Sequence, residues 1–124
     1  MSEVSRVIDA YCAAWSHAEE SGRGNLLASV WAVGAADVDP GVHAPGEGDL
    51  LAHIKMIHAK RPAFKVVRSS EIDHHNNYGR FSWKALMQTK GVLVETEGQD
   101  FVVFTSDGLR IEKIIGFMGG IKRS

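Results

Sequence analysis

The spacing of apolar residues changes once along this chain, at Phe64, and that change restricts the folds available to it. Before Phe64, apolar residues in three segments recur every three to four positions, which is typical of amphipathic helices. After Phe64 they alternate with polar residues, which is typical of strands with one buried face. Helices followed by a run of strands predict an α+β protein.

The predicted helices are bounded by ordinary capping and stop signals. The first is predicted over residues 2–20, ending near Gly22, and the second runs from Asn25 to Gly34. Residues 35–39 are predicted to form a short strand, followed by a loop over residues 41–48. The third helix begins at Asp49 and ends at Pro62.

Four strands are predicted after the helices, over residues 64–73, 80–89, 92–104 and 109–118. The links between them are short, so neighbouring strands are expected to pair antiparallel as a meander. Gly98 lies inside the long third strand and is predicted to mark a bulge or bend. A curved antiparallel sheet wrapped by about three helices would form a cone with an internal pocket at its open end.

Length and charge exclude several classes of protein. A chain of 124 residues suits one domain, predicted here over residues 1–124. The net charge is −1 and no run of Lys or Arg exceeds two residues, which argues against nucleic-acid binding and a basic membrane-binding patch. No apolar run is long enough to span a bilayer, and no signal peptide is recognisable. With Cys12 as its one cysteine, the chain is expected to be cytoplasmic.

Asp100 is the residue that fits its predicted strand least well. Side chains alternate along a strand, so Asp100 shares a face with Val102 and Phe104. A carboxylate buried on such an apolar face must be hydrogen-bonded, paired or held protonated. Asp100 is therefore a candidate acid or base in a pocket, the alternative being a carboxylate bound to backbone amides or facing a partner subunit.

Two further residues are candidates for chemistry. Asp39, directly before Pro40, would act as a base if it lined the cavity, although Asp before Pro is also ordinary turn chemistry. Asp37 shares the face of Asp39 and is expected to be solvated. Tyr11, on the first helix, would either donate its hydroxyl to an oxyanion or be a core tyrosine bonded to a strand.

Large apolar side chains are the candidates for the wall of the pocket. The residues predicted to line it are Trp15, Trp31, Trp83, Val102 and Phe117. No metal site is expected, since His53 and His58 are five positions apart and cannot share a ligand face of a helix. His43, in the loop near Asp39, is a candidate for the pocket mouth. No cofactor-binding motif is present.

Several local motifs, in this order, resemble the nuclear transport factor 2-like superfamily, and its SnoaL-like branch in particular. They are residues 11–15 of the first helix, 37–40, 81–83, 98–101, and 106–108 followed by Ile111. The resemblance covers nearly the whole chain. It implies the cone-shaped α+β fold, but the superfamily hosts cyclases, isomerases, hydrolases, dehydratases and non-enzymes.

The resemblance also implies roles for the candidate residues. Ketosteroid isomerase, in the same superfamily, has a general base that would correspond to Asp39. It also has an oxyanion-binding aspartic acid that would correspond to Asp100. That aspartic acid is a known example of a carboxyl group kept neutral by an apolar site. Its helix-one tyrosine would correspond to Tyr11. The SnoaL-type cyclases use a late-strand aspartate, again at or near Asp100.

The leading functional hypothesis is a cofactor-independent enzyme of isomerase or polyketide cyclase type. It would act on a small, largely apolar carbonyl compound by acid/base proton transfer. The alternative is a non-catalytic member of the same fold that binds a small molecule or another protein. A homodimer through the outer sheet face is also expected, since Leu109, Ile111 and Ile115 are predicted on one face of the last strand and Ile114 and Met118 on the other.

Overall fold

The computed structural model describes residues 3–119. Within that range the helices are α1 (Glu3–Ser16), α2 (Glu20–Val30) and α3 (Glu47–Lys60). The strands are β1 (Trp31–Asp39), β2 (Val42–Ala44), β3 (Lys65–Arg68), β4 (Asp73–His75), β5 (Tyr78–Thr89), β6 (Val92–Phe104) and β7 (Ile111–Met118). None of these helices has the length and apolarity needed to cross a membrane.

The strands form one curved sheet in the order β2-β1-β7-β6-β5-β3, with β4 also paired to β5. The α+β prediction is confirmed. The meander β5-β6-β7 is antiparallel, as expected, but the sheet as a whole is mixed because β1 runs parallel to β7. Such a pair joins strands from opposite ends of the chain, so the short links between neighbouring strands carry no information about it.

The boundaries of the early elements differ from the prediction. Helix α2 starts earlier, at Glu20, and ends at Val30, so that Trp31 opens β1 and pairs with Ile111. Trp31 fits the apolar spacing of either a helix or a strand, and the pairing with β7 decides between them. Helix α1 ends at Ser16, whose hydroxyl donates to the carbonyl of Val66 and accepts its N–H. The predicted start of α1 at residue 2 lies outside the described residues.

The region between α3 and β5 also differs. The strand predicted over residues 64–73 is two short strands, β3 and β4, which pair with different parts of the same edge of β5. Phe64 precedes β3 and is buried in the core. The loop predicted over residues 41–48 contains β2, a short return strand that pairs with the end of β1.

A bulge in β7 changes which side chains face the core. The register with β6 shifts between the pairs Val103–Lys113 and Phe104–Ile111. Ile111 and Ile114 are therefore both buried on the inner face, whereas simple alternation placed them on opposite faces. Lys113, Ile115 and Phe117 remain on the outer face. The core lies between the inner face and the helices.

The outer face of the sheet carries exposed aromatic rings. Phe101 and Phe117 meet edge to face with their ring centroids 5.9 Å apart, and both are more than one-third exposed.

The homodimer through this face stays a prediction. Light scattering at micromolar concentration is expected to give twice the 13.5 kDa chain mass, and Phe117→Lys is expected to give the monomer. Val33→Lys, at a fully exposed position, is the control, and a wild-type protein that is only monomeric would contradict the prediction.

Candidate active site

A cavity of about 440 Å³ opens between the inner face of the sheet and helices α1 and α3. Its walls are mostly apolar, with Phe64, Met87 and Met118 among the lining residues. Its polar groups are concentrated on α1, β1 and β6. A volume of this size is typical of pockets that hold small molecules.

Asp39 and Asp100 face each other across a glycine. Asp100 pairs with Gly116, and Val38, next to Asp39, pairs with Ile115. A Cβ built on Gly116 would lie 2.9 Å from Asp100 Oδ1 and 3.1 Å from Asp39 Cβ. Because Gly116 has no side chain, the two acids approach each other from the strands on either side of β7. The structure thus brings together both residues that the sequence singled out.

Asp100 is buried, with 7% of its surface exposed. Its Oδ1 accepts a hydrogen bond of 2.9 Å from the indole N–H of Trp83. Burial, followed by the charge of Asp37, raises the pKa of Asp100 to about 8, and the two together outweigh the lowering effect of the Trp83 hydrogen bond. At neutral pH the carboxyl group therefore keeps its proton for much of the time, and it can donate a hydrogen bond.

Gly98 makes room for the Trp83 ring that binds Asp100. A Cβ on Gly98 would lie 2.2 Å from Trp83 Cζ2 and 2.5 Å from the carbonyl oxygen of Phe117. The registers of β6 with β5 and with β7 both run without a shift past this residue, so of the predicted bulge or bend at Gly98 the bulge is wrong. The glycine is required by the close approach of the indole.

Asp37 was expected to be solvated, and that prediction is wrong. The residue is 2% exposed, lines the cavity, and accepts a hydrogen bond from the Tyr11 hydroxyl through Oδ2. Burial raises its pKa to about 7, with a smaller upward effect from the charge of Asp39, while the Tyr11 hydrogen bond lowers it. The sequence held a signal for this position, since Asp37 shares a strand face with Asp39 and with the buried Ala35.

Tyr11 lies at the centre of an aromatic cluster. Its ring stacks on Trp31 at a centroid distance of 5.9 Å and an interplanar angle of 8°, and Trp15 meets it edge-on at 6.4 Å. Burial, followed by the charges of Asp37 and Asp100, raises its pKa well above the usual value. Tyr11 is therefore a neutral hydroxyl that can donate one proton to a hydrogen bond.

Asp39 lies at the edge of the cavity and is half-buried. Its Oδ1 accepts hydrogen bonds from the backbone N–H groups of Gly41 at 2.7 Å and Val42 at 3.1 Å. Among the described residues, no donor is bound to Oδ2. The carboxylate is thus fixed by the turn at one oxygen and can accept a proton at the other.

The residues predicted to form the apolar wall fall into two groups. Trp15 and Trp83 line the cavity. The prediction is wrong for Trp31, which lies behind Tyr11, and for Val102, which is buried in the core further along β6. It is also wrong for Phe117, which is 54% exposed on the outer face. Phe117 directly follows Gly116 in β7, so its side chain points to the opposite face of the sheet.

Some cavity residues were not anticipated from the sequence. His53 of α3 lines the cavity and meets the Trp15 ring edge-on at 5.9 Å, whereas His43, the histidine expected at the mouth, is exposed and is not part of the lining. The spacing of α3 held a signal for His53, since it lies three positions after Leu50 and four before Ile57 and so shares the apolar side of that helix. Across residues 3–119, no three His, Cys, Asp or Glu side chains are grouped so as to hold a metal ion.

Solved structures with the same fold include enzymes and candidate enzymes. IdmH of Streptomyces antibioticus, a candidate polyketide cyclase, is 19% identical with a TM-score of 0.72, over 93% of this chain and 91% of that one. The BvnE pinacolase of Penicillium brevicompactum is 11% identical with a TM-score of 0.76, over 94% and 85%. At these identities the likeness shows the fold alone. No protein-family model matches the sequence, and no curated protein matches it.

A third solved structure is similar enough to show the family. It is a candidate isomerase of the SnoaL-like family from Agrobacterium tumefaciens, 30% identical with a TM-score of 0.83. The alignment covers 97% of this chain and 100% of that one. The chain therefore belongs to the SnoaL-like family.

Proposed function

We propose that the protein is a cofactor-independent enzyme that moves a proton on a small, largely apolar carbonyl compound. The observation that carries the proposal is the arrangement of Asp39 and Asp100 across Gly116 at one end of an open apolar cavity. The two acids differ in environment, since Asp100 is buried and tends to stay protonated while Asp39 is half-buried at the edge. Two carboxyl groups with such different surroundings are typical of an acid and a base in one site.

The chemistry assigns one role to each acid. Oδ2 of Asp39 removes a proton from the carbon next to the carbonyl group, and the C–H electron pair moves to form an enolate. The protonated carboxyl of Asp100 donates a hydrogen bond to the carbonyl oxygen as its negative charge develops. The Trp83 N–H holds Oδ1 of Asp100, which leaves Oδ2 to carry that proton. Tyr11 is the second candidate donor, and in the structure its hydroxyl donates to Oδ2 of Asp37.

The enolate can then react in two ways. If Asp39 returns its proton to a different carbon, the product is an isomer of the substrate. If the enolate carbon attacks a second carbonyl group in the same molecule, a ring closes, as in polyketide cyclisation. Both reactions begin with the same abstraction of a proton, and the solved structures with this fold include candidate enzymes of both types.

Deuterium exchange tests that shared step. Steroid ketones, cyclic enones and 1,3-diketones are incubated with the protein in D₂O, and NMR follows the loss of the proton next to the carbonyl. We expect exchange above the buffer rate with at least one class, and none with Asp39→Asn. Compounds that raise the melting temperature without exchanging would instead support the non-catalytic binding function.

A further inference from the structure

The hydroxyl of Tyr11 has one proton, and the structure shows where that proton goes. It is donated to Oδ2 of Asp37 rather than into the cavity, although both residues line the cavity. A phenolic hydroxyl donates a single hydrogen bond at a time. While Asp37 is ionised, therefore, Tyr11 has no proton to offer to the oxygen of a ligand.

Protonation of Asp37 changes this. An ionised carboxylate only accepts hydrogen bonds, whereas a protonated one has an O–H of its own. Asp37 could then donate to the Tyr11 oxygen, and the Tyr11 hydroxyl would be free to turn toward the cavity. Since Trp31 stacks on the ring and Trp15 packs against it edge-on, the change needs only rotation of the O–H bond and no movement of the ring.

We propose that Asp37 is a positioning residue that makes Tyr11 available as a hydrogen-bond donor to a ligand oxygen only when Asp37 is protonated. The inference rests on the proposed function, which places a carbonyl oxygen at this end of the cavity. It adds a third carboxyl group to the site, with a role distinct from those of Asp39 and Asp100.

The groups around Asp37 determine when the change occurs. Tyr11 comes from α1, Asp39 from β1, Asp100 from β6 and His53 from α3, and no Lys or Arg is among the described lining residues. The charges of Asp37 and Asp39 both disfavour ionisation of Asp100. Because the pKa of Asp37 is about 7, small changes near neutral pH alter how often Tyr11 can donate.

The first test needs no ligand. The chain has two tyrosines, Tyr11 and Tyr78, and Tyr78 is 55% exposed. With ¹³C at Cζ of tyrosine, the NMR signal of Tyr11 should shift as Asp37 titrates, and that of Tyr78 should not follow the titration of Asp37. Every protein in this test carries Asp100→Asn, because the charge of Asp100 also acts on Tyr11. The shift should then disappear in Asp37→Asn and persist in Asp49→Asn, which removes an exposed carboxylate of α3. A Tyr11 signal that does not follow the titration of Asp37 overturns the proposal.

The second test measures donation to a ligand. Benzophenone labelled with ¹³C at its carbonyl is used because it has no hydrogen on the adjacent carbons and cannot be turned over. All variants carry Asp100→Asn, so that Asp100 does not titrate. With Asp37 protonated, we expect a lower carbonyl stretching frequency in the infrared than with Asp37 ionised. We also expect roughly two- to tenfold tighter binding, which is the usual contribution of one hydrogen bond.

Two further variants separate Asp37 and Tyr11. Asp37→Asn should show the low carbonyl frequency at every pH, and Tyr11→Phe should show no pH dependence. If the frequency is the same across the titration of Asp37, or if its pH dependence survives in Tyr11→Phe, Asp37 does not act through Tyr11. Because benzophenone is not a substrate, this result does not depend on whether the protein is an enzyme.

Discussion

Asp39→Asn is expected to lower the rate of proton exchange next to a substrate carbonyl by about 10²- to 10⁴-fold, the usual contribution of a general base. The amide has nearly the same shape as the carboxylate and its oxygen can still accept the N–H groups of Gly41 and Val42. It cannot accept a proton from carbon, however. Binding of benzophenone should change little, because Asp100 and Tyr11 are intact. The measurement is the exchange rate in D₂O with the best compound from the panel.

Asp49→Asn is the control for this prediction, since it removes one exposed carboxylate outside the cavity. It should leave the exchange rate unchanged. If Asp39→Asn exchanges at the wild-type rate while Asp100→Asn does not exchange, the base is Asp100 and the roles are reversed. If neither variant changes the rate, the exchange does not take place in this cavity.

Stability is expected to decrease as the pH rises from about 4 to about 8. The pKa values of Asp37 and Asp100 are near 3.8 in the unfolded chain and about 7 and about 8 in the folded one. Between these values the folded state binds more protons than the unfolded state, so each group lowers the free energy of unfolding by about 1.4 kcal/mol per pH unit. Their contribution is full below pH 3.8 and is lost by about pH 8.

Urea denaturation at a series of pH values measures this decrease. Asp37→Asn and Asp100→Asn should each flatten the slope, and Asp100→Leu could raise stability near pH 8 because it removes a buried polar group from an apolar face. Asp49→Asn should keep the wild-type slope. A stability that rises with pH over this range, or carboxyl NMR signals of Asp37 and Asp100 that titrate near 3.9, would contradict the burial of these groups.

The sequence predicts most of the fold because most of it depends on local spacing. The helices and the antiparallel strands β5, β6 and β7 follow from the change of period at Phe64 and from the short links. The parallel pairing of β1 with β7 does not follow, because it joins residues about 80 positions apart, such as Trp31 and Ile111. The bulge near Ile111 reverses the alternation along β7, and a count of alternating residues cannot detect it.

The candidate site, too, could be predicted only in part from the sequence. The apolar face around Asp100 predicted a buried carboxyl group, and the structure buries it. Alternation also placed Asp37 beside Asp39 on one face, but the sequence alone does not show how far along β1 the helices cover that face. The partners of these acids, Tyr11 for Asp37 and Trp83 for Asp100, lie on α1 and β5, and only the assembled fold brings them within reach.

The closeness of Asp39 and Asp100 depends on the missing side chain at position 116. Any larger residue there would occupy the space between the two acids, because its Cβ alone would touch both. Position 116 can therefore be used to sort related sequences. Relatives with glycine at this position and both acids in place would retain the two-acid arrangement, whereas those with a bulky residue would have pockets suited to other tasks. The same glycine marks where a redesigned chain could be given a pocket that binds but does not react.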